Sequence, residues 1–191
     1  MLTGKKIGFA LTGSFCTLAK TMPQLKKLVD AGAQVTPIVS SAVAQTDTRF
    51  GKAVAWLEEI KQITGQEPWQ SIVEVEPIGP KALLDLLIIA PCTGNTLAKL
   101  ALGITDSAVL MAAKAQLRNS KPVLIAISTN DALGANAVQL GKLLNRPNIY
   151  FVPFSQDDPA KKANSLVAHM DLLFESACLA LSGQQLQPVL R

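Results

Sequence analysis

Between residues 6 and 152, short apolar runs alternate with stretches of helical period. Few folds are open to a chain built this way, and the foremost is a parallel sheet wound on both faces by helices. The runs fall at 6–11, 34–39, 84–90, 122–127 and 148–152, the last read as the final strand. Residues 72–75 are a candidate short strand before the Pro77 to Pro80 loop. Helices are predicted over 14–31, 52–64, 96–102, 107–118, 135–144 and 165–181. Gly32, Gly65, Gly103 and Gly183 close four of them, and Asp106 or Thr105 is the predicted N-cap of the fourth. Pro91 is expected to end the most apolar run. No internal repeat or linker breaks the pattern, so 1–191 reads as one α/β domain, a three-layer Rossmann-like doubly wound sheet, with 184–191 an extended C-terminal arm.

Composition agrees with strands buried on both faces. Hydrophobic residues make up 49% of the chain and charged ones 17%, and the mean hydropathy is +0.28. No run reaches the length of a membrane span, and the first strand begins too early for a signal peptide. A net charge of +4 is spread over isolated residues and the doublets Lys5-Lys6, Lys26-Lys27 and Lys161-Lys162. With 5% aromatic residues this is no nucleic-acid surface, but it suits anionic ligands. Cys16, Cys92 and Cys178 are too widely spaced for a zinc site or a disulfide framework, which predicts a reducing cytoplasm and no metal.

Loops after strands collect at the carboxyl edge of such a sheet, where open α/β folds bind ligands. G-F-A-L-T-G-S, from Gly8 to Ser14, runs from the first strand into a helix, and its free amides suit one phosphate. It lacks the G-x-G-x-x-G of a dinucleotide fingerprint. Its plainer reading is a turn with Ser14 as N-cap. A-P-C-T-G-N-T brings Thr93, Asn95 and Thr96 to the same edge, and Ser40-Ser41 closes the second strand beside Gly13. In Q-T-D-T-R-F-G, Asp47 and Arg49 either tie down a loop or offer a guanidinium fork to a carboxylate. S-T-N-D-A-L-G-A-N, from Ser128 to Asn136, carries more small polar groups than a helix cap needs. Asp157-Asp158 follows the last run as a cap, a lid or an acid/base pair. His169 and Cys178 read as parts of the final helix, and Cys16 as the first turn of another.

These residues carry a resemblance. G-x-x-L-T-G-S with A-P-x-T-x-N-T-x-A-K-x-A resembles the flavoprotein family of homo-oligomeric flavin-containing cysteine decarboxylases and flavin prenyltransferases. T-D-T-R-F-G, V-L-M-A-A-K-A-Q-L-R-N, I-S-T-N-D-A-L-G, P-F-S-Q-D-D-P and the tail Q-L-Q-P-V-L look like the dipicolinate synthase branch of that family. The resemblance implies an FMN site, with Gly13, Ser14 and Ser40 or Ser41 at the phosphate and Phe15, Pro91 and Ser128 also among the cofactor-binding residues. Thr93, Asn95 and Thr96 would lie near the ribityl chain and ring. It also implies homotrimers or higher oligomers, and a separate NAD(P)-binding partner chain of the synthase. Together the two would oxidise dihydrodipicolinate to pyridine-2,6-dicarboxylate in the mother cell of a sporulating bacterium. In that role Arg49 is the first choice for a substrate carboxylate, ahead of Lys114 and Arg118. Asn130 and Asp131 would orient the ring or move a proton. Two departures disfavour the decarboxylase and prenyltransferase chemistries. No histidine lies within 40–80, and Ser128-Thr129-Asn130-Asp131 stands where the decarboxylases have P-x-M-N and the prenyltransferases an Arg-Glu pair.

Overall fold

The computed structural model describes residues 2–191. Strands β1 (Lys6–Leu11), β2 (Gln34–Val39), β3 (Leu86–Cys92), β4 (Val123–Thr129) and β5 (Ile149–Phe151) form a parallel array ordered β2-β1-β3-β4-β5. β3, at the centre, is buried at every position, as its unbroken apolar run requires. In this order the chain reverses its direction of travel between β1 and β3, so a crevice opens beyond their carboxyl ends.

Helices α1 (Phe15–Asp30), α2 (Ser41–Gln45), α3 (Ala53–Thr64), α4 (Ile72–Val75), α5 (Gly94–Leu102), α6 (Ala108–Arg118), α7 (Ala137–Leu144) and α8 (Leu173–Leu181) surround the sheet. α1 turns Leu18, Met22, Leu25 and Leu28 into the core, a 3.6-residue stripe.

Several expectations give way to local forces. Residues 72–75 form a helical turn and no strand, because Ser71 and Glu74 make a reciprocal capping box. The same Ser71 hydroxyl, with two backbone N–H groups, holds the Glu74 carboxyl below its ordinary value. Pro91 lies inside β3, where the pairing with β4 is irregular between Ile89 and Cys92 and its missing N–H is not called upon. Ser107, and neither Asp106 nor Thr105, caps α6, while Asp106 is paired with Lys99.

The largest difference lies after β5. The sequence predicts helix over 165–181 and no strand after 152. Instead β6 (Phe154–Gln156) pairs antiparallel with β7 (Leu166–Ala168), and β7 pairs antiparallel with the end of β4. β5 covers only Val123–Ile125 of β4, which leaves Ser128 and Thr129 an open edge that β7 closes. Tertiary pairing thus overrides helical propensity at 166–168. The tail is laid down in the same region. The Gln185 amide bonds both backbone groups of Phe151 at 2.7–2.8 Å, and Phe154 N–H donates to the Val189 carbonyl at 3.0 Å.

Candidate functional site

Three corners of the chain meet at the crevice. The first is the β1–α1 turn, Thr12 to Ser14. The buried Thr12 hydroxyl donates to the Pro91 carbonyl at 2.6 Å and accepts from the Thr93 N–H at 3.0 Å. It therefore ties the first corner directly to the second, the β3–α5 turn. Ser14 makes no capping bond to α1. Its Oγ instead lies 2.7 Å from Ser128 Oγ, which is 2.7 Å from the buried Thr17 Oγ1. That hydroxyl chain joins the third corner, the end of β4, to the first.

Two connected clefts result. The larger, about 610 Å³, is lined among others by Gly13, Ser14, Phe15, Cys16, Phe50, Thr93, Asn95, Ser128, Asn130 and Asp131. The smaller, about 450 Å³, shares Gly13, Thr93 and Asn95 and adds Ser40, Ser41, Thr96 and Lys99. Among the described residues, the N–H groups of Phe15 and Cys16 at the start of α1 meet no acceptor. The Gly13 Cα approaches α2 so closely that a Cβ would stand 3.0 Å from the Ala42 Cβ. Bare amides, a glycine at close approach and several hydroxyls make a cradle for an anion.

Acidic and basic groups are unevenly placed. Asp131, half-buried, accepts from Thr129 Oγ1 at 2.5 Å and from Asn136 Nδ2 at 2.7 Å. Lys162, in the loop between β6 and β7, donates to Asp157 at 2.6 Å, and both line the larger cleft. The hydrogen bond and charge of Asp157 raise the Lys162 ammonium above its ordinary value, so it stays a cation. Among the described residues no group of three or more His, Cys, Asp and Glu is placed to hold a metal ion.

Not every expected residue lies in the lining. Arg49 is exposed and stacks on the Phe50 ring, its guanidinium carbon 4.8 Å from the centroid; Phe50 lines the larger cleft and Arg49 does not. Asp47 forms no ion pair with it and accepts from Ala53 N–H at the start of α3. Pro91 is buried in β3, and its carbonyl is already taken by Thr12. Lys114 and Arg118 line a separate groove of about 260 Å³ with Arg146, beside α5 and α6. His169 precedes α8 and lies 2.9 Å from Ser155 Oγ, outside the crevice.

Sequence reasoning missed Thr12 as the strut and Lys162 as the lining cation. The first carried a faint signal, a hydroxyl at the last position before the turn glycine. The second had one too, since D-D-P-A-K-K sets opposite charges three to five residues apart in a loop.

The model of the family described as Flavoprotein matches residues 1–165. The chain is 54% identical over 189 residues to the B subunit of dipicolinate synthase from Bacillus subtilis (strain 168), covering 99% of this chain and 94% of the relative. The crystal structure of the dipicolinate synthase B subunit from Bacillus halodurans C matches with a TM-score of 0.92 at 53% identity, over 100% of this chain and 97% of that one. The FMN-dependent cysteine decarboxylase SpaF shares the fold at 19% identity, with a TM-score of 0.68 over 95% and 99% of the two chains.

Proposed function

Because the chain belongs to the Flavoprotein family, we propose that it serves as the flavoprotein-type subunit of a dipicolinate synthase. With an NAD(P)-binding partner subunit it would oxidise dihydrodipicolinate to dipicolinate, pyridine-2,6-dicarboxylate, in the mother cell during sporulation. The single observation carrying this is the Thr12 strut, which holds two amide-lined corners around one crevice at the switch point of the sheet. The 54% identity to the dipicolinate synthase B subunit supports this substrate class.

The residues fit a mononucleotide. Gly13, Ser14 and the free N–H groups of Phe15 and Cys16, with Ser40 and Ser41 across the smaller cleft, suit the phosphate of FMN. Thr93, Asn95 and Thr96 present neutral hydrogen-bonding groups to a ribityl chain and ring. A bound flavin supplies a two-electron carrier at the crevice.

Aromatising a dihydropyridine removes one hydride equivalent and one proton. The hydride equivalent would pass to an oxidised nicotinamide held by the partner subunit, and the carboxylate of Asp131, a base held in the cleft wall, would take the proton. Lys162 would neutralise one substrate carboxylate by turning to it from Asp157, with Arg49 on the rim beside Phe50. Asn130, exposed in the lining, contacts the ring edge.

Co-expression with the NAD(P)-binding partner, followed by an assay for dipicolinate with and without added FMN, tests the reading. Formation should require both chains. The partner alone reaching the full rate would overturn it.

A further inference from the structure

We infer that Thr129 and Asn136 are positioning residues that clamp the Asp131 carboxylate in place, and that Gly94 exists to make room for this clamp. The inference rests on the reading of Asp131 as proton acceptor. Each carboxylate oxygen of Asp131 takes one donor from the protein: Oδ1 from the Thr129 hydroxyl at 2.5 Å, Oδ2 from the Asn136 amide at 2.7 Å. Charge-assisted bonds of this kind fix a carboxylate in rotation as well as position. The two donors come from opposite sides of the loop that carries Asp131, one from the end of β4 and one from the start of α7.

The donors are themselves held. Asn136 is 7% exposed, and its own N–H and that of Gly134 bond back to the Asp131 carbonyl at 3.2 and 3.0 Å. Ser165 Oγ donates to the Thr129 carbonyl at 3.2 Å, from beside the strand that closes the edge of β4. Asn136 precedes α7 and makes no capping bond to it, so its amide serves Asp131 instead of the helix.

Gly94 is the independent sign. It sits in the first turn of α5, where glycine is a poorer helix former than alanine. Its φ is not positive, so conformational freedom does not explain it. A Cβ there would stand 2.5 Å from Thr129 Oγ1, 2.6 Å from Asp131 Oδ1 and 2.8 Å from Asn136 Nδ2. Those are the three members of the clamp, and real Cβ atoms essentially never come so close to a neighbour. The glycine lets the clamped carboxylate lie against the N-terminus of α5, where negative charge is favoured. A proton moves efficiently only to a base already at hydrogen-bonding distance, so a fixed carboxylate has a catalytic use that a mobile one lacks.

The test uses the complex with the NAD(P)-binding partner and measures kcat, KM for the dihydropyridine dicarboxylate, and Tm. D131N should lose most activity. T129V, equal in shape but without the donor, and N136A should each lower kcat about tenfold with KM unchanged, while T129S should retain the parent's kcat. G94A, which removes no donor, should lower kcat in the same way. If D131N keeps the parent's kcat, the proton-acceptor reading fails and the clamp falls with it. If D131N is impaired but T129V, N136A and G94A turn over normally, only the clamp is refuted. Variants that lose Tm with kcat and KM changed together would make the pair a structural strut and would likewise refute it.

Discussion

Replacing Ser14 with aspartate sets a negative charge on the turn assigned to the FMN phosphate, and the structure bounds the effect. Ser14 does not cap α1, and its Oγ faces the hydroxyls of Ser128 at 2.7 Å and Thr17 at 3.4 Å. An aspartate there finds hydrogen-bond donors, so the fold should survive with Tm within a few degrees of the parent. At about 4 Å, two unit charges repel by about 1 kcal/mol in water and about 4 kcal/mol near a partly buried surface. A phosphate carries close to two charges, so even the water limit gives about 2 kcal/mol, roughly a 30-fold rise in Kd. Ser14→Ala separates charge from simple loss of a donor. It removes one hydrogen bond worth about 1 kcal/mol, roughly fivefold, and leaves Ser128 paired with Thr17. Titration of FMN against each variant, followed by quenching of flavin fluorescence, reads both effects. An affinity in Ser14→Asp within threefold of the parent's would remove the phosphate from this turn.

Two further outcomes are expected. Lys162→Met should raise KM for the dicarboxylate about tenfold with kcat kept, because it deletes the cation of the larger cleft; Arg49→Ala should move KM less than twofold, and steady-state kinetics giving the reverse order would return the carboxylate contact to Arg49. In the folded protein, iodoacetamide should label the exposed Cys16 and spare the fully buried Cys92, whose thiol is pushed up to about 12 by burial and stays protonated at neutral pH; peptide mass spectrometry showing equal labelling would contradict this placement.

Hydrophobic periodicity was enough to locate the five parallel strands and most of the helices, because burial of β1, β3 and β4 depends on local apolar runs that any compact packing must hide. The turns after β1 and β3 were legible for a related reason. A strand feeding a helix leaves unpaired amides wherever the chain has glycine and hydroxyl residues, whatever lies around them. Sequence alone therefore determined the five parallel strands, the edge where their following loops collect and the polar groups there at Gly13, Ser14, Thr93, Asn95 and Asp131. Tertiary structure decided what depends on residues distant in the chain. β7 is a strand because β4 has an edge to fill there. Thr12 meets Thr93 across 81 positions, Ser14 meets Ser128 across 114, and Lys162 instead of Arg49 faces the cleft because the β6–β7 loop folds over it. Gly94 is an ordinary turn glycine in sequence, and only the Thr129, Asp131 and Asn136 side chains packed against it give it a reason. Such contacts are set by how strands are ordered in the sheet, a property that no short window of residues contains.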